Sequence, residues 1–146
     1  MTAEAVLLEL TGVSKRFGRI TVAARTLEET GLSQDANSPA GRLGLLQRKR
    51  LELARGLATQ PRILLLDEVA GGLTDPEVAQ LVQIVEDVRQ RGVAIVWVEH
   101  VVHALTRAVS RIICLAGGRL IAQGDPQTVL ANAEVKEVYL GVNVDA

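Results

Sequence analysis

Cysteine occurs once, at Cys114, in a chain of 146 residues. That count excludes an intrachain disulfide and any all-cysteine zinc site. The aromatic side chains are Phe17, Trp97 and Tyr139, too few for base-stacking platforms or an aromatic carbohydrate cleft. Neither sign of charge dominates: 16 Lys and Arg stand against 17 Asp and Glu, a formal charge of −1. Such a balance argues against a general nucleic-acid binder. No apolar run approaches the roughly 20 residues of a membrane span, so no direct span is expected. The opening Met1 to Leu10 carries no basic n-region of a signal peptide. Lysine is sparse too, at Lys15, Lys49 and Lys136, and none of the three follows a glycine.

What is present is an apolar fraction of 48% and a charged fraction of 23%, which excludes a disordered or collagen-like chain. The length suits one domain with a real core. A soluble, cytoplasmic, aliphatic-rich α/β or α domain is the expectation. Charge is unevenly placed. Residues 41 to 62 hold Arg42, Arg48, Lys49, Arg50, Arg55 and Arg62 against Glu52 alone, whereas residues 124 to 146 are acidic. A basic stretch of this kind is either a solvated helix face or a face turned to an anion.

Along the chain, Leu7 to Leu10 reads as a short strand and Thr21 to Thr30 as a helix stopped by Gly31. Ser33 to Gly41 reads as loop. Leu45 to Thr59 is helical, with Leu46, Leu53 and Leu57 on one stripe, and Pro61 ends it. Ile63 to Leu66 is an apolar strand that runs out at Asp67 and Glu68. Thr74-Asp75-Pro76-Glu77 opens the next helix with a capping box and an early proline. Its stripe is Val78, Leu81, Val82, Val85 and Val88. Val93 to Val98 is a second apolar strand, ending at Glu99 and His100. After a helix over Val101 to Val109, Arg111 to Ala116 reads as a third strand. Gly117-Gly118 then turns the chain into Arg119 to Gln123. Two short helices, Gln127 to Ala131 and Ala133 to Leu140, follow.

From residue 63 the order is strand, helix, strand, helix, strand. Strands apolar on both faces that alternate with amphipathic helices predict a parallel sheet covered on both sides. Ligands of such sheets bind beyond the carboxyl ends of the strands, where Asp67, Glu68, Glu99 and His100 fall. A first carboxylate there can hold Mg²⁺ through its water shell, and a second can orient or deprotonate a water attacking phosphate. The alternative is a strand end that simply meets solvent. Glu99-His100-x-x-His103 is not a zinc-protease motif, because its histidines lie three apart and the glutamate precedes both.

Three segments in one order carry more weight than any piece alone. They are Leu43-Gly44-Leu45-Leu46-Gln47 with the helix after it, Leu66-Asp67-Glu68 followed by Val69-Ala70-Gly71-Gly72-Leu73-Thr74, and Val98-Glu99-His100. The succession resembles the C-terminal half of an ATP-binding cassette (ABC) ATPase: signature motif and helix, Walker B strand, D-loop and switch histidine. The tail from Gly124-Asp125-Pro126-Gln127 to Gly141 resembles the ending of the branched-chain amino-acid subfamily. Leu7 to Gly18 is similar to the family's first strand and the loop after it.

The resemblance implies an α/β fold, a partial and truncated P-loop NTPase-like parallel sheet with flanking helices. It comprises an N-terminal part over 1–18, a remnant helical and signature region over 20–60, and the remaining motifs over 61–146. Glu68 would be the general base and His100 the γ-phosphate contact. Asp67 would position Mg²⁺ through water, Phe17 would stack on adenine, and Gln47 with the backbone near Gly44 would face the nucleotide of the opposite subunit. The implied cofactors are ATP and Mg²⁺. Implied partners are permease transmembrane subunits and a second ATP-binding subunit, at the inner face of the plasma membrane.

Three departures from the pattern bear on activity. Gly44-Leu45-Leu46 replaces the family's serine and glycines, and Thr74 stands where many members have aspartate. More important, no Gly-x-x-x-x-Gly-Lys-Ser/Thr phosphate loop occurs in the sequence. Charge-assisted hydrogen bonds contribute about 1.5–3 kcal/mol each, so losing three removes about 4.5–9 kcal/mol. That is on the order of 10³ to 10⁶ in affinity. The expectation is an ATP-binding subunit with impaired hydrolysis, or a non-catalytic binding or dimerisation module derived from one.

Overall fold

The computed structural model describes residues 16–17, 20–100, 102, 106 and 108–140. The chain divides into two compact units, Met1–His100 and Val101–Ala146. The strand expected over Leu7 to Leu10, and His103, lie outside the described residues.

In the first unit a short antiparallel pair, β1 (Arg16–Phe17) and β2 (Ile20–Thr21), leads into helix α1 (Val22–Glu29). The buried hydroxyl of Thr30 donates to the Thr26 carbonyl at 2.8 Å, so this polar group enters the interior satisfied. The helix stops at Gly31, φ +70°, as the sequence predicts. The stretch expected as loop folds into two 3₁₀ turns, Ser33–Asp35 and Ala40–Arg42. Its Ser, Asp, Asn and Pro residues favour such local turns over extended connection.

Helix α2 (Leu45–Leu57) buries Leu53, Ala54 and Leu57, and stops two residues earlier than expected. Helix α3 (Asp75–Gln90) buries the whole predicted stripe of Val78, Leu81, Val82, Val85 and Val88. Each such side chain contributes about 1.5–3 kcal/mol when fully withdrawn from water. Helix α2 packs against both α1 and α3. Arg50 Nη2 donates to Gln80 Oε1 at 2.7 Å across the second contact, and Glu29 receives both Arg25 and Arg91.

Strands β3 (Ile63–Asp67) and β4 (Ala94–Val98) pair in parallel, with Ile63 beside Ala94 and Asp67 beside Val98. Alternate side chains leave a strand on opposite faces. Leu64 and Leu66 are buried; α2 lies over that face, for a Cβ added at Gly56 would stand 3.0 Å from Leu64 Cδ1. The other face carries Ile63, Leu65, Val96 and Val98, and Leu65 is 73% exposed. The expectation of burial on both faces therefore fails among the described residues. An apolar run tells that both faces suit a core, not that both receive a cover.

The second unit has helical residues at 102, 106 and 108, within the expected Val101 to Val109 helix. Strands β5 (Ile112–Ala116) and β6 (Arg119–Gly124) form an antiparallel hairpin. Its turn, Gly117 at φ +55° and Gly118 at φ +73°, has the two successive positive angles of a tight hairpin turn. The predicted third parallel strand thus takes β6 as its partner among the described strands, because a two-residue turn delivers that neighbour at little loop cost. Helix α4 (Pro126–Ala131) is capped by Asp125, whose Oδ1 accepts from the N–H of Gln127 at 2.9 Å and of Thr128 at 3.2 Å. Helix α5 (Ala133–Val135) continues as a π turn over Lys136–Leu140. Ile112, Cys114, Val129 and Val135 make the core of this unit. Burial pushes the Cys114 thiol pKa up.

Candidate functional site

The parallel register of β3 and β4 ends both strands at the same edge. The Glu68 N–H donates to the Val98 carbonyl at 2.9 Å and extends the ladder one residue beyond Asp67. Asp67 and Glu68 therefore stand beside Glu99 and His100, as sheet topology predicts from the sequence. His100 Nδ1 lies 3.5 Å from Glu68 Oε1, and their side chains are 65% and 64% exposed. Asp67 is exposed at the same edge.

Glu68 sits at φ +47°, in the left-handed region. A residue with a Cβ carries a cost of about 1–2 kcal/mol there. Neighbours hold it: Lys49 Nζ donates to the Glu68 carbonyl at 3.2 Å and the Gly71 N–H donates to the same oxygen at 3.3 Å. Part of the basic face of α2 is thus spent on a backbone carbonyl. Arg42, Arg48, Arg55 and Arg62 remain exposed.

Glu99 differs from its neighbours. Its side chain is 0% exposed, and its Oε2 lies 3.6 Å from His100 Nδ1. Oε1 accepts from the Ala70 N–H at 2.7 Å, and Oε2 from the His100 N–H at 3.2 Å. A buried carboxylate persists only when hydrogen-bonded in this way. The sequence marks Glu99 as a strand-end residue and no more. Its bond to Ala70, 29 residues back, appears only once β3 and β4 are in register.

Gly44 and Gln47 are adjacent at the start of α2. The Gly44 N–H donates to Gln47 Oε1 at 2.7 Å, half of a capping box, and Gln47 Nε2 lies 3.5 Å from Asp35 Oδ2. A Cβ at Gly44 would come within 2.9 Å of Gln47 Oε1, so the amide as placed would have to shift. In this arrangement the Gln47 amide serves its own helix. Phe17 lies in β1, and its side chain falls outside the described residues.

The exposed carboxylates of Asp67 and Glu68 are oxygen donors of the kind that magnesium takes through its water shell. They do not make a protein-only cage: among the described residues, no three or more His, Cys, Asp or Glu side chains converge on a metal position. Among the described residues no helix is long and apolar enough to cross a membrane.

Residues 119–145 match the family described as branched-chain amino acid ATP-binding cassette transporter. The chain is 37% identical, over 120 residues, to the high-affinity branched-chain amino acid transport ATP-binding protein BraF of Pseudomonas aeruginosa, a match covering 82% of this chain and 47% of that protein. It is 36% identical to LivG of Escherichia coli, of the same description, with the same coverage of both chains. It is 33% identical to the lipopolysaccharide export system ATP-binding protein LptB of Haemophilus influenzae, over 82% of this chain and 49% of that one. Among solved structures, an ATP-binding cassette of an ABC transporter in its ADP conformation superposes with a TM-score of 0.77 at 26% identity, covering 82% of this chain and 49% of that one. The chain spans about half the length of these relatives.

Proposed function

We propose that this chain, which belongs with the ATP-binding cassettes of ABC transporters of the branched-chain amino acid type, serves as the part of an ATP-binding subunit that carries its hydrolytic edge. The observation behind this reading is the strand-end cluster, with His100 Nδ1 3.5 Å from Glu68 Oε1 and Asp67 one residue before. When bound, magnesium–ATP supplies the γ-phosphate and the cation that balances its charge. Glu68 then takes a proton from the attacking water, a task suited to an exposed carboxylate held by its own backbone. His100 binds the γ-phosphate, and Asp67 orients the magnesium waters. Gln47 and the Gly44 backbone face the nucleotide of a second subunit once the Gln47 amide swings off its own helix start. Phe17 stacks on adenine.

The partners of this reading are a second ATP-binding subunit and permease transmembrane subunits, at the inner face of the plasma membrane. The transported cargo would be branched-chain amino acids, as the names of BraF and LivG state for those proteins. With no Gly-Lys pair in its 146 residues, the chain alone is expected to bind ATP no tighter than about millimolar and to turn it over slowly. Calorimetry with MgATP tests this: weak heat lost in Asp67→Ala supports the reading, and identical titrations for the two proteins overturn it.

A second reading rests on the exposed face of Ile63, Leu65, Val96 and Val98. In it the chain is a non-catalytic module that docks on a partner through apolar surface. No heat at millimolar MgATP, with stable association to an intact cassette, favours this reading over the first.

A further inference from the structure

The Glu68–His100 pair is made of exposed side chains from two different strand ends. Exposed side chains of this length do not hold one geometry unaided. Their backbones, however, share one buried anchor. Glu99 Oε1 accepts from Ala70, two residues after Glu68, and Oε2 accepts from His100 itself. With a side chain that is 0% exposed, Glu99 has no solvent to turn to, so its two oxygens depend on these bonds. The Leu73 N–H returns to the Ala70 carbonyl at 3.2 Å, which carries the constraint through the loop to the start of α3.

We propose that Glu99 is a positioning residue: its buried carboxylate ties the backbone of Ala70 to that of His100 and so fixes Glu68 and His100 relative to each other. Its side chain is withdrawn from the exposed edge where Glu68 and His100 lie. Its consequence for catalysis rests on the reading of Glu68 and His100 given above, whereas the tie between the two backbones does not.

Amide exchange and proton shifts of the whole chain test the tie directly. In the wild type the Ala70 amide proton, bonded to Glu99 Oε1 at 2.7 Å, resonates well downfield and exchanges slowly. Glu99→Ala moves it upfield and speeds exchange of Ala70 and His100 by on the order of tenfold or more, with Leu64 and Leu66 amides unchanged. Glu99→Gln keeps an acceptor for Ala70 but turns a donor toward the His100 N–H, so it restores Ala70 and not His100. That split identifies which oxygen serves which amide, and MgATP turnover separates positioning from a structural role alone. Should Glu99→Ala fail to fold, the split in Glu99→Gln decides alone. Unchanged amides in both variants, or loss of protection spread evenly along β3, overturn the proposal.

In MgATP turnover, Glu99→Gln lowers kcat about tenfold or more and leaves KM in place. A wild type without turnover overturns the hydrolytic reading of Glu68, while the amide split still decides the role of Glu99.

Discussion

His100 Nδ1 stands 3.5 Å from Glu68 Oε1, although helix α3 and strand β4 separate the two along the chain. The parallel pairing of Asp67 with Val98 produces that approach, since it stops both strands at one level. The Glu68 backbone is held by Val98, Lys49 and Gly71, and the next turn by Glu99. The pair itself is exposed and contributes about 0–1 kcal/mol to stability, so its geometry serves the site more than the fold.

Glu68 therefore separates chemistry from strain. Glu68→Gln should leave stability within about 0.5 kcal/mol and lower ATP turnover by about 10² to 10⁴. Glu68→Gly removes the same carboxylate but relieves φ +47°. It should be neutral to about 1 kcal/mol more stable in urea unfolding, after the entropy of a new glycine is offset. A Glu68→Gly chain that is clearly less stable than Glu68→Gln would contradict the strain.

Gly44→Ala brings a Cβ to within 2.9 Å of Gln47 Oε1, the end of a flexible side chain, so the amide shifts and the bond that caps α2 weakens. Alanine is also the poorer N-cap residue, and a loss of about 0.5–1 kcal/mol is expected in thermal unfolding. Gly41→Ala, with no neighbour within 4 Å of the added Cβ, should instead be neutral or gain about 0.4–1 kcal/mol.

Adjacent leucines of β3 should differ sharply. Leu66→Ala empties a buried position and should cost about 2–5 kcal/mol. Leu65→Ala removes a side chain that is 73% exposed and should cost about 0.5 kcal/mol or less. Equal losses in chemical denaturation would mean that the Leu65 face is covered in solution.

Two carboxylates of α3 give stability an acid limb. The Thr74 N–H, then its hydroxyl, hold the Glu77 pKa below the ordinary 4.5. Bonds from Arg89, then Gln90, hold Glu86 down to about 2. In both cases the folded chain binds protons less readily than the unfolded one. Their stabilisation is complete above about pH 4.5 and is lost as pH falls towards about 2. In thermal scans across that range Glu86→Gln should flatten the decline; an unchanged slope would contradict the assignment.

Much of this was legible in the residues. The α3 stripe, the Thr74–Glu77 start, the Gly117-Gly118 turn and the apolar strand ending at Asp67-Glu68 are local patterns, and local patterns survive without knowledge of the fold. The tail after Gly124 likewise resembles the family whose description matches residues 119–145. Three features were not legible. The left-handed Glu68 arises from where the chain must turn after β3. The Glu99–Ala70 bond depends on strand register across 29 residues. The bare face of Leu65 and Val96 depends on what packs over it, and an apolar run carries no such information.

The most direct measurement is an amide and side-chain NMR titration of the whole chain with MgATP, repeated on Asp67→Ala. Saturable shifts are expected near millimolar MgATP, confined to residues 67–73, Glu99, His100 and the Phe17 ring, and abolished by Asp67→Ala. Shifts that bypass this strand edge, or that persist unchanged in Asp67→Ala, would contradict that expectation.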